Sequence, residues 1–139
     1  TKDYPRAVSN NYLYEHEFGY NDDGSPMTGV FIESSDFDIQ DGEQFAFINR
    51  IVPDLRFLNN SAAGKVNMVL KTRNFPGESL TTASTTSIAS NTTQVNTRTR
   101  ARQGVLRIES DDDASGVGND DTGWRLGATR LDVRPDGRR

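Results

Sequence analysis

No window of about eleven residues in this chain places apolar side chains at i, i+3, i+4 and i+7, the pattern an amphipathic helix requires. Apolar residues recur instead at a spacing of two, in runs cut by turn pairs every ~8–12 residues. A chain patterned this way buries one face of many short strands. The expected fold is all-β, an antiparallel sandwich or propeller-like set of sheets with long loops.

The runs can be placed in order. Residues 1–29 are polar and rich in turn formers, with Tyr4, Tyr12, Tyr14, Phe18 and Tyr20 as most of their apolar surface. They read as an extended arm, with a short strand at Tyr12 and Tyr14 and a turn at 21–24, whose aromatics anchor on a neighbour. The β-rich domain then spans 30–139. Its first strand opens at Val30 and continues through Phe37 and Ile39 to a hairpin turn at Asp41-Gly42. Residues 44–51 are apolar on both faces, which predicts a central strand ended by Pro53. A short extended piece follows at Leu55 and Phe57. Val66, Met68 and Leu70 share one face of a strand over 65–73, closed by Phe75-Pro76-Gly77. Residues 79–97, mostly Ser, Thr and Asn, read as a flexible or partner-supported loop, with an edge strand as the option that Thr tolerates.

The C-terminal third carries the most distinctive pattern. From Gln94 two long strands are expected, joined as a hairpin by an acidic loop over 111–121. Arg98, Arg100 and Arg102 lie at a spacing of two, on one strand face, and Arg130 and Arg134 recur on the returning strand. Such a ribbon buries one face and presents guanidinium groups, spotted with carboxylates, to a partner. Charge is uneven along the chain: residues 1–97 hold 7 Lys and Arg against 12 Asp and Glu, and residues 98–139 hold 9 against 8. A negative front and an arginine-dense back suit head-to-tail association. The low hydrophobic content, 33% with a mean hydropathy of −0.70, likewise points to burial completed by partner subunits. Thr1 in place of a methionine points to a processed chain or part of a longer one.

Several chemistries find no support. There is no cysteine, which removes disulfides, thiol nucleophiles and Cys-based zinc sites. No apolar run approaches the ~18–20 residues of a membrane-spanning helix. His16, the single histidine, lies between Glu15 and Glu17 in the least core-like segment and reads as a surface or interface residue rather than a ligand. No nucleophile–base pair is apparent, and no phosphate-binding glycine motif occurs, so neither enzymatic activity nor a bound cofactor is expected. The aspartates of 111–121 could hold calcium, but their spacing is not that of an EF-hand, and a solvated connection is the simpler reading. No metal site is therefore assigned. Trp124 reads as a large core anchor beside the ribbon.

Two runs carry a family resemblance. WRLGATRLDVRPDGRR, preceded by RARQGVLRIES, resembles the C-terminal end of the tail nozzle (tail hub, or tail tubular) proteins of short-tailed bacteriophages. VFIESSDFDIQDGEQFAFINRIVPDLRF is similar to their pattern of a strand with Ile-Glu, a turn at Asp-Gly, and a strand running into Val-Pro-Asp. Together the matches cover residues 28–75 and 94–139. The resemblance implies a non-enzymatic virion component, located in the phage tail. It implies a six-fold ring below portal and adaptor that carries fibres or spikes and lets DNA pass without sequence-specific binding. Family members run to several hundred residues, which makes this chain the counterpart of their C-terminal region. Subunit-contact candidates on this reading are Arg98, Arg100, Arg102, Arg130, Arg134, Tyr12, Tyr14 and Trp124. The competing expectations are a free-standing β-sandwich that binds carbohydrate or protein at a concave site with Tyr12, Tyr14 and Trp124, and a calcium-stabilised β domain.

Overall fold

The structure, a computed structural model, describes residues 3–59, 64–111 and 122–138. Among them every sheet is antiparallel and no α-helix occurs. Two layers pack face to face. The first has the order β10-β9-β12-β5, formed by Thr81–Ala89, Lys65–Arg73, Gln103–Ser110 and Phe31–Glu33, with β6 (Phe37–Asp38) also on β12. The second combines the sheet β11-β7-β14 (Val95–Ala101, Ala46–Val52, Arg130–Pro135) with the ribbon β13-β8 (Thr122–Leu126, Leu55–Asn59).

Alternation decides which side chains meet between the layers. Val66, Met68, Leu70, Ile88 and Ile108 come from the first layer. Ile48, Ile51, Val95 and Phe57 come from the second. Val66, Leu70, Ile88 and Ile51 are fully buried. Leu55, Leu126, Leu131, Val133 and Trp124 close the cluster from β8, β13 and β14. The central-strand expectation for 44–51 is met by β7, flanked by β11 and β14. The strand expected over 65–73 is β9.

Four expectations are corrected. First, the C-terminal strands do not form a hairpin with each other. Both edges of β12 are already occupied, by β9 on one side and by β5 and β6 on the other. β13 therefore pairs with β8, and β14 with β7. β11 and β12 are a nearly continuous strand that bends at Arg102 and changes layer, a corner common in packed sheets. Second, most of the Ser/Thr-rich stretch is not a loop. β10 pairs with β9 along its whole length, with a bulge between Thr82 and Ser84. An edge strand needs only one apolar face, and Ile88, fully buried, supplies its anchor while Thr85 and Ser87 face water.

Third, the strand expected from Val30 to Ile39 is broken into β5 and β6. At the break, Ser34 binds β12 twice: its amide donates to the Leu106 carbonyl at 2.9 Å, and its Oγ accepts from the Leu106 amide at 3.1 Å. Fourth, the turn at Asp41-Gly42 joins two layers rather than paired strands. Gln40 and Asp41 adopt φ of 51° and 55°, Gly42 follows at 75°, and the Gly42 amide donates to the Ile39 carbonyl at 3.2 Å. The acidic loop and its calcium reading lie, apart from Asp111, outside the described residues.

The N-terminal arm is itself built of small hairpins. β1 (Arg6–Ser9) pairs with β2 (Tyr12–Glu15) through Asn10 and Asn11, both at positive φ. β3 (Asn21–Asp22) pairs with β4 (Ser25–Pro26) through Asp23 and Gly24. Asn tolerates the left-handed region that such two-residue turns demand.

Candidate subunit interface

The sequence-predicted arginines converge, but through β7 rather than through a hairpin of their own. Arg134 and Arg100 stand on either side of Phe47, in one cross-strand row on the face of the sheet away from the core. The next row on that face is Asp132, Arg50 and Asn96. Arg130 lies beyond it, opposite Val52. Arg98 is exposed on the β11 bulge, with φ of 60°.

These arginines divide into two groups. Arg100 and Arg102 are engaged within the chain. Their guanidinium carbons lie 3.9 and 4.9 Å from the Phe45 ring centre. Arg100 pairs with the Asp136 carboxylate and donates to the Asp136 carbonyl at 3.0 Å. Arg102 donates to the Gly42 and Arg138 carbonyls at 3.3 and 3.2 Å. Together they fasten the terminal Pro135-Asp136-Gly137 turn to the end of β7, helped by the Phe45 amide, which donates to the Gly137 carbonyl at 2.8 Å. Asp132 lies 3.9 Å from both Arg50 and Arg134.

The second group has no such partner. Among the described residues Arg56, Arg98, Arg125 and Arg130 form no ion pair. Arg56 and Arg125 are moreover direct cross-strand partners, on the outer face of the β8–β13 ribbon. Like charges placed so destabilise a sheet. The sequence reads Arg125 as one of the charged residues of the returning strand but does not point to Arg56 or to their pairing, because only the register between strands distant along the chain sets them opposite each other.

Tyr12 and Tyr14 sit on one face of the β1–β2 hairpin, their ring centres 6.4 Å apart. Val8 and Leu13 pair on its other face. Val8, Tyr12, Leu13 and Phe18 remain 75%, 68%, 64% and 66% exposed, so the hairpin is not covered by the sandwich. His16 is exposed beside it, its amide donating to the Pro5 carbonyl at 2.7 Å. Among the described residues no group of three or more acidic, His or Cys side chains is placed to hold a metal ion.

Trp124 is half-buried against the core, and its indole N–H donates to Ser110 Oγ at 3.1 Å. It lines an open cleft of about 350 Å³ with Tyr20, Met27, Val30 and Gly123. Tyr20 lies over Gly123, where any β-carbon would collide with its ring. Tyr12 and Tyr14 do not reach this cleft, so the three aromatics expected to share a concave site stand apart.

On the outer face of the first layer, Lys71 and Arg107 converge on Glu33, at 2.6 and 3.5 Å. The Lys71 hydrogen bond, foremost, and Arg107 hold the Glu33 carboxyl below the usual carboxylate range, against the opposing effect of desolvation. Arg107 also donates to Glu109 at 2.6 Å, which, followed by Glu33, raises its already high pKa, and it stacks 3.6 Å above Phe31. Val69 and Val105 are buried on this same face, directly opposite Arg107 and Lys71, whose aliphatic stems cover apolar neighbours. A second apolar groove of about 300 Å³ opens at the sandwich edge between Phe37, Leu106, Leu126 and Leu131.

The chain matches no protein-family model and no curated protein by sequence.

Proposed function

We propose that this chain is a structural β-sandwich subunit that assembles head to tail with copies of itself, as a ring of the tail-nozzle type in a short-tailed phage virion. In that setting the ring lies below portal and adaptor, passes DNA without reading its sequence, and holds fibres or spikes. The observation that carries the reading is the β1–β2 hairpin, which exposes Val8, Tyr12 and Leu13 to water on two faces. A free monomer gains nothing from presenting such a surface, whereas an assembled subunit covers it. The runs that resemble nozzle proteins span β5 to β8 and β12 to β14, which supply Ile48, Ile51, Phe57 and Ile108 to the core, and they include Arg100, Arg102, Arg130 and Arg134. Light scattering and negative-stain imaging of the full chain test the reading. Discrete six-fold particles are expected, and a lone monomer at high micromolar concentration overturns it.

A further inference from the structure

Resting on this assembly reading, we propose that the outer face of the β8–β13 ribbon, centred on Arg56 and Arg125, receives the acidic stretch Glu15–Asp23 of a second copy's N-terminal arm. The opposed arginines carry the argument. A cross-strand pair of like charges weakens the strand pairing it sits on, and no carboxylate among the described residues forms an ion pair with either arginine. An anion bridging the two guanidinium groups turns the repulsion into two charge-assisted contacts.

The chain carries a matching donor of carboxylates. Residues 1–29 hold Lys2 and Arg6 against Asp3, Glu15, Glu17, Asp22 and Asp23. Glu17, Asp22 and Asp23 are exposed and make no ion pair among the described residues. The arm of the same copy leaves the site open. Its Tyr20 covers Gly123, opposite Leu58, and the next position on that face is the Arg125–Arg56 pair. The same arm exposes the apolar residues that docking on a neighbour would cover.

A phosphate backbone is the less favoured anion. The chain is net negative at −4, and Asp54 sits at the end of the ribbon, where its carboxylate accepts from the Ala128 amide. An arm from one copy meeting a ribbon on the next is a heterologous contact, the kind that closes rings.

The test is sedimentation velocity on the full chain over a range of concentrations. Arg56→Glu/Arg125→Glu is expected to weaken self-association by about tenfold or more. Glu17→Lys/Asp22→Lys/Asp23→Lys should weaken it similarly, and mixing the two variants should restore association. Arg56→Thr/Arg125→Thr removes the repulsion with a residue suited to strands; it should keep or raise Tm while still weakening assembly, and it serves if the charge reversal fails to fold. Wild-type assembly by the folded arginine variants overturns this contact and leaves the ring reading standing. A wild-type chain that never self-associates overturns both. Loss of binding to a DNA duplex with assembly intact identifies phosphate as the anion and overturns the arm.

Discussion

Glu33 is the residue at which two strands of one layer and a neighbouring edge are held together by charge. Its carboxyl accepts from Lys71 of β9 and lies beside Arg107 of β12, and both cations lower its pKa from an ordinary 4.5. A depressed folded-state pKa contributes stability that is complete above the unfolded value and is lost as pH falls through the folded value. Urea midpoints of the wild type and Glu33→Gln should therefore differ at neutral pH, and the gap should begin to close below about pH 4.3 and vanish as pH falls through the lower folded-state value. A constant gap across that range would count against the ion-pair account. A second residue-scale constraint is Gly104, over which the Phe37 ring packs so closely that a β-carbon would lie 2.6 Å from Cζ. Gly104→Val should cost about 1–3 kcal/mol in denaturant unfolding, because the ring must leave its place against the core. Neither constraint was legible in the sequence. Both depend on which residue faces which across a ladder, and the register is set by strands far apart along the chain.

At the scale of elements, stability should be distributed unevenly. β7 and β9 are each flanked by strands on both sides and carry Ile48, Ile51, Val66, Met68 and Leu70, none more than 2% exposed. Amide exchange should be slowest in these two strands and fast in β1 and β2, whose residues are almost all exposed. Ile48→Ala should cost about 2–5 kcal/mol, measured by the shift in denaturant midpoint, since the cavity it leaves is walled by both layers. These two strands were readable from apolar side chains repeated on a face. β10 was not, because Ser and Thr dominate it and one buried isoleucine anchors it. The pairing of β12, β13 and β14 was not readable either. Adjacency along the chain suggests a hairpin, and only competition for the two edges of β12 shows why they part.

At the scale of the whole molecule, the sandwich buries a core to which the N-terminal hairpin adds nothing, and that hairpin leaves Val8, Tyr12 and Leu13 exposed. Deleting residues 1–16 removes the exposed hairpin and none of the buried cluster, so cooperative unfolding should persist at nearly unchanged Tm while species larger than the monomer disappear. Light scattering with a thermal melt checks both halves of that expectation. Loss of the fold would show that the arm belongs to the core. What the amino-acid order determined alone was the all-β class, the strands β7 and β9, the turns at 21–24, 41–42 and 75–77, and a surplus of arginine near the C-terminus. Each of these is a local property, written in side-chain period and turn chemistry. The tertiary structure decided which arginines share a face, which of them the chain itself already binds, and that Arg56 meets Arg125. Those are matters of register and layer, settled when distant strands compete for the same edges.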